Sequence, residues 1–223
     1  MTRYPSPNVS ERRGGALPDI IVLHYTAMAT CAEARARLCD PSAEVSAHWL
    51  ISETGMAEAL VDERLRAWHA GAGEWAGVTD VNSRSIGIEL ANDGRSPFAE
   101  PQIAALERLL AGVMARWSIP ACRVIGHSDM APARKADPGA RFDWRRLALG
   151  GLSVWPDGGE ADAALFAPAA RAFGYAVADE ALLLNAFRLR FRPQAFGPLD
   201  RVDAGMATDL ARRFGVDGLA PRA

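Results

Sequence analysis

DIIVLHYT, residues 19–26, decides how the rest of the chain is read. A polar residue opens it, and Ile20, Ile21, Val22 and Leu23 follow without a break, three of the four β-branched. A short run that is apolar at every position predicts a strand buried on both faces, the form taken by central strands of α/β sheets. It ends bluntly at His24. RSIGIEL (84–90) and CRVIGH (122–127) have the same form and end near Glu89 and at His127. EVSAHWLI (44–51) alternates in part and predicts a further strand.

Between the second and third of these buried runs lies a helix over 101–117. Ile103, Leu106, Leu109, Leu110, Val113, Met114 and Trp117 recur at helical spacing, Pro101 suits a first turn and Pro120 a stop. Shorter helices are expected over 30–39 and 142–149. The segment 150–159, GGLSVWPDGG, carries a glycine pair at each end and Pro156, which predicts a linker. Beyond it, patterns over about 161–173, 179–190 and 203–214 predict three helices. The fold class is therefore α/β, a mixed central sheet flanked by helices, followed by a small three-helix unit.

Composition narrows the function classes. Of 223 residues, 49% are apolar and 23% charged, with a formal net charge of −2, an ordinary globular balance. No basic stripe with interleaved aromatics appears, so nucleic acid is not an expected partner. No run approaches the roughly 18 apolar residues of a membrane span. Cys31, Cys39 and Cys122 make an odd count without CxxC spacing, which favours a reducing compartment over a disulfide framework. The polar, proline-containing start has no apolar leader core, so the expectation is a cytoplasmic protein, or a periplasmic one if a leader has been removed. Composition is silent on oligomeric state.

Three buried strands that finish on His24, Glu89 and His127 bring catalytic residue types to one sheet edge, where α/β proteins commonly build sites. His127 and Asp137 are joined by a loop containing Pro132, which can fold back and bring both to one point. Two imidazoles and a carboxylate suit zinc with a fourth position left open for water, and they equally match a 2-His-1-carboxylate iron centre. Lys135, the single lysine among twenty-four arginines, lies in the same loop. A compact ammonium there suggests a task that a flat guanidinium would not perform.

IVLHYT (21–26), IGIELAN (86–92) and GHSDMAPARKADPG (126–139) resemble the motifs of the zinc-dependent N-acetylmuramoyl-L-alanine amidases of the type 2 family. The similarity extends over about residues 4–150, with RYPSPN, SAHWLIS and AWHAG adding to it. FGYAV and AFRLRFRP resemble a small three-helix peptidoglycan-binding domain. The resemblance implies a catalytic domain over 1–150 and a helical domain over 160–223. It implies zinc held by His24, His127 and Asp137, with Glu89 as general base and acid and Lys135 stabilising the developing oxyanion. Tyr25, His48, His69 and Asn92 would line the substrate groove, His48 and His69 having core hydrogen bonding as the alternative. The implied reaction is hydrolysis of the amide between N-acetylmuramic acid, 1,6-anhydro forms included, and L-alanine of the stem peptide. Muropeptides or peptidoglycan fragments would be the partners, in wall-fragment recycling. A non-catalytic muropeptide sensor and an extracytoplasmic amidase on polymeric wall are the alternatives.

Overall fold

A computed structural model of the chain describes residues 4–216, so residues 1–3 and 217–223 of the two expected domains lie outside the described residues. In chain order the strands are β1 (Val9–Ser10), β2 (Ile20–Tyr25), β3 (Trp49–Ile51), β4 (Ala57–Ala59), β5 (Arg66–Ala67), β6 (Ser85–Leu90) and β7 (Val124–Gly126). The α-helices are α1 (Cys31–Leu38), α2 (Val81–Arg84), α3 (Glu100–Trp117), α4 (His127–Met130), α5 (Trp144–Leu149), α6 (Phe166–Phe173), α7 (Glu180–Phe191) and α8 (Arg201–Phe214).

The central sheet has the order β4-β3-β6-β2-β7. β2 runs parallel to β6 and β7, β3 runs parallel to β6, and only β4 is antiparallel to its neighbour. Alternation along the strands sorts their side chains between two faces. Ile21, Leu23, Ile86 and Ile88 face the apolar stripe of α3 and the α5 residues Trp144 and Leu147. Ile20, Val22 and Ile125 face the other way, into one core with Phe166, Phe173, Phe187, Phe191 and Leu210. The C-terminal helices therefore cover the second face of the sheet, and their aromatic residues fill its core.

The segment 150–159 runs along these helices. Ser153 and Val154 are buried, and the Asp157 amide donates to the Asp209 carboxylate at 3.0 Å. α8 lies so close to Gly159 that a side chain at Gly205 would sit 2.3 Å from its carbonyl oxygen.

Two strands are shorter than the apolar patterns suggest. The run at 44–51 is a strand only at Trp49–Ile51, because Glu44 takes a left-handed φ of 51° and Ser46 bonds to Trp68. The run at 122–127 is a 3-10 turn followed by Val124–Gly126, and His127 opens α4 instead of closing the strand. α8 begins at Arg201, two residues before the expected start, because Asp200 and Asp203 form a reciprocal capping box. Among the described residues no helix is long and apolar enough to cross a membrane.

Candidate metal centre and active site

His24 is the penultimate residue of β2, which runs one position past the expected end to Tyr25, and its register partner Glu89 lies beside it on β6, so both project from the same face at the same height. His127 and Asp137 reach that point through the loop after α4. The Ser128 amide donates to the Asp137 carbonyl at 2.9 Å, and the Lys135 amide donates to the Ala131 carbonyl at 3.0 Å, which folds the loop back on itself. Gly126 permits the close return: a Cβ there would lie 2.8 Å from Pro138 and 3.3 Å from the Trp144 ring.

Three side-chain atoms of metal-ligating type converge as a result. His24 Nδ1 lies 2.9 Å from Asp137 Oδ2 and 3.0 Å from His127 Nδ1, and His127 Nδ1 lies 3.0 Å from the same carboxylate oxygen. All three residues are buried. Ligands about 2.0–2.1 Å from a tetrahedral zinc stand roughly 3.3 Å apart, close to this spacing.

The surrounding hydrogen bonds fix where the protons are. Ser85 Oγ donates its one proton to the Val81 carbonyl at 2.6 Å, so it can only accept from His69 Nε2 at 3.1 Å. Neutral His69 then presents a bare Nδ1, and His24 must donate to it from Nε2 at 3.0 Å. Burial, followed by the proximity of His127, lowers the His24 pKa to about 4, so its ring is neutral near pH 7 and its Nδ1 is a lone pair. His127 Nε2 donates to the Ala70 carbonyl at 2.9 Å, which in the neutral ring leaves its Nδ1 bare as well. Two lone pairs and a carboxylate thus meet without a proton among them, an arrangement that a cation satisfies and that water-free burial alone does not.

The cleft above this triangle has a volume of about 490 Å³. Glu89 lines it, and its Oε2 is buried with no hydrogen-bond partner among the described residues. Burial and then the Asp137 charge push the Glu89 carboxyl up to about 8, with Lys135 pulling the other way. A proton acceptor tuned near neutrality is what general acid–base chemistry requires. Lys135 lines the same cleft from the returning loop, and Arg37 and Arg134 add positive charge to the rim.

The four expected groove residues divide. Tyr25 lines the cleft, its ring packed near Gly94 and Gly139, both at positive φ. His69 also lines it, but both its ring nitrogens are already engaged, with His24 and with Ser85. His48 is not a groove residue: it is fully buried, accepting from the Gly87 amide at 2.9 Å and bonding the Leu65 carbonyl at 3.1 Å. Asn92 is likewise turned to its own loop, accepting from the Gly94 amide and donating to the Ser96 carbonyl. His48 sits just before β3 and is tied to β6 through backbone and ring alike, its amide donating to the Gly87 carbonyl at 3.0 Å.

Residues that the sequence did not single out also matter. Ser85 lies two positions from Gly87 and four from Glu89 on the same face of β6, and a serine and a glycine inside an isoleucine-rich strand were the available signal. Arg190 of α7 pairs with Asp129 of α4 at 2.7 Å, both about 1% exposed. Asp129 in turn accepts from the Gly126 amide and from the Tyr175 hydroxyl, each at 2.7 Å. Arg188, two residues away and on another side of the helix, pairs with Asp203 of α8.

A sequence profile of the N-acetylmuramoyl-L-alanine amidase family matches residues 14–140. The N-acetylmuramoyl-L-alanine amidase AmiD of Escherichia coli K12 is 34% identical over 234 residues, covering 89% of this chain and 84% of its own length. The solved complex of that protein with the substrate anhydro-N-acetylmuramic acid-L-Ala-D-gamma-Glu-L-Lys superposes with a TM-score of 0.82 at 32% identity, over 94% of this chain and 99% of the other. AmpDh3 of Pseudomonas aeruginosa, in complex with an anhydromuramic pentapeptide, superposes with a TM-score of 0.79 at 31% identity, over 92% of this chain and 96% of the other. The 1,6-anhydro-N-acetylmuramyl-L-alanine amidase AmpD of Haemophilus influenzae is 41% identical over 103 residues, 46% of this chain and 56% of its own.

Proposed function

Since this chain belongs to the N-acetylmuramoyl-L-alanine amidase family, we propose that it hydrolyses the amide between the lactyl group of N-acetylmuramic acid, 1,6-anhydro forms included, and L-alanine of the stem peptide. The observation that carries the reading is the proton-free triangle of His24, His127 and Asp137 beside a buried carboxylate, Glu89, with an unbonded oxygen. These three residues would hold zinc, and the set of two imidazoles and one carboxylate fits that ion with a position to spare. When bound, zinc would supply a water of lowered pKa and polarise the amide carbonyl.

Glu89 accepts the proton of the attacking water and returns it to the leaving amine of L-alanine, work typically worth about 10² to 10⁴ in rate. Lys135 faces the same cleft and stabilises negative charge that grows on the carbonyl oxygen. Arg37 and Arg134 at the rim suit the carboxylates of a stem peptide. Tyr25 stands at the cleft wall and contributes contact area to the bound fragment.

Wall-fragment recycling is the role we assign. The three cysteines are unpaired, which supports a reducing compartment and with it the cytoplasm. Fractionation of cells carrying the tagged native chain tests the placement, and a periplasmic pool would overturn it. The reaction is tested by mass spectrometry of a defined anhydro-muropeptide incubated with the protein, with chelator, and with chelator followed by added Zn²⁺. Free peptide should appear in the first and third tubes only. An unchanged mass in all three would favour a non-catalytic binder, and equal product with chelator would remove the metal from the reaction.

A further inference from the structure

Both imidazoles of the triangle are held from behind by one dipeptide. His69 accepts the Nε2 proton of His24 through its Nδ1, and the next residue, Ala70, accepts the Nε2 proton of His127 through its carbonyl, at 3.0 and 2.9 Å. Asn82 clamps the dipeptide itself: its Oδ1 accepts from the amides of His69 and Ala70 at 3.0 and 2.8 Å. Asn82 is 7% exposed and Ser85 0%, so water cannot easily replace either bond. Space for the His69 ring comes from Gly87, where a Cβ would lie 2.4 Å from His69 Cγ.

The supporting group for His24 is unusual in kind. Metal-binding histidines usually donate their second N–H to a carboxylate, a carbonyl or water, all of which accept in any state. An imidazole accepts at Nδ1 only if its proton sits on Nε2. Ser85 enforces that state, because its own proton is committed to the Val81 carbonyl and it can only accept from His69. The order of donation is therefore His24 to His69, His69 to Ser85, and Ser85 to Val81, with one direction throughout.

We propose that His69 and Ala70, braced by Ser85 and Asn82, form the positioning element that fixes the tautomer of both imidazole ligands and turns their Nδ1 lone pairs to the metal. This rests on the metal reading above, and it makes His69 a positioning residue rather than a substrate contact. The replacement of a neutral acceptor is the informative change. His69→Asn keeps an oxygen acceptor near the place of Nδ1, whereas His69→Leu removes it while keeping bulk.

The test is zinc affinity by competition with a chromogenic chelator, on the full chain and both variants, beside urea unfolding of each metal-free form. Loss of such an outer partner typically weakens metal binding about 10- to 100-fold, so His69→Leu should fall in that range and His69→Asn should stay within about threefold of the parent. The two variants should lose similar stability without metal, since both lose the ring packing against Gly87. Equal zinc affinity in all three proteins overturns the proposal, as does a loss of affinity that is the same in both variants. A parent chain that fails to bind zinc would instead overturn the metal reading itself. Where a variant does not fold, long-range ¹H–¹⁵N spectra of the zinc-loaded parent decide: the proposal requires His24, His69 and His127 all protonated at Nε2, and a proton on His69 Nδ1 refutes it.

Discussion

Replacing Arg190 by methionine should destabilise the whole protein, although Arg190 is far along the chain from the cleft. Its guanidinium donates to Asp129 at 2.7 Å, to the Val124 carbonyl at 3.0 Å and to Ser153 at 3.3 Å, and it stacks over Trp144 at 4.3 Å from the ring centroid. Methionine keeps the apolar contact and leaves the Asp129 charge buried, with only the Gly126 amide and Tyr175 hydroxyl to hold it. Breaking a buried pair by removing one partner costs about 3–5 kcal/mol, a fifth or more of a typical total of about 5–15 kcal/mol. With a urea slope of about 2–3 kcal/mol per molar, the midpoint should fall by about 1–2.5 M. The assay is urea unfolding followed by circular dichroism for the parent, Arg190→Met, Asp129→Asn and the double variant. Neutralising Asp129 in the Arg190→Met background should recover about 2 kcal/mol or more as coupling energy. If Arg190→Met lies within about 1 kcal/mol of the parent and the cycle is additive, the pair does not bear on the fold as argued.

Glu89→Gln should retain zinc and lose about 10² to 10⁴ in turnover, measured by release of free stem peptide. The same substitution has a second signature in metal-free protein. Glu89 has a folded value of about 8, above the roughly 4.3 of an unfolded glutamate, so the folded chain keeps a proton that the unfolded chain releases. Its contribution is full below that unfolded value and is lost as pH rises through about 8, so Glu89→Gln should exceed the parent in stability at and above pH 8 and flatten the profile. Lys135→Ala should keep zinc affinity and lose about 10² to 10³ in turnover, and near-normal turnover would remove Lys135 from the reaction.

The buried strands were legible because β2 and β6 lie between two covered faces and therefore carry no polar alternation, and the amphipathic stripe of α3 was legible because one of its faces meets water. The meeting of His24, His127 and Asp137 beside Glu89 was legible because strand ends and a proline-containing loop concentrate polar side chains that a core does not tolerate. The environment of His48 was not, because a histidine with both nitrogens satisfied inside the sheet is written the same way as one in a groove. The bonds of Asn92 were not legible for a related reason: its amide shapes the loop after β6, and an asparagine that bonds its own backbone looks like any cleft asparagine. The buried pairing of Arg190 with Asp129 escaped because its partners are 61 positions apart and each looks like a surface charge. Two positions apart on one helix, Arg188 and Arg190 point to different sides, and the structure sends Arg188 to α8 and Arg190 to α4.

The aromatic core shared by β2 and the last three helices has a consequence for how a long substrate would be handled. A glycan-binding unit on a loose tether gains local concentration but leaves the cutting point free to wander. Here the last three helices are seated on the sheet, and α7 is bolted to the turn that carries His127. Whatever those helices contact would lie at one fixed offset and angle from the cleft, so the fold itself sets a constant distance between that surface and the triangle of His24, His127 and Asp137.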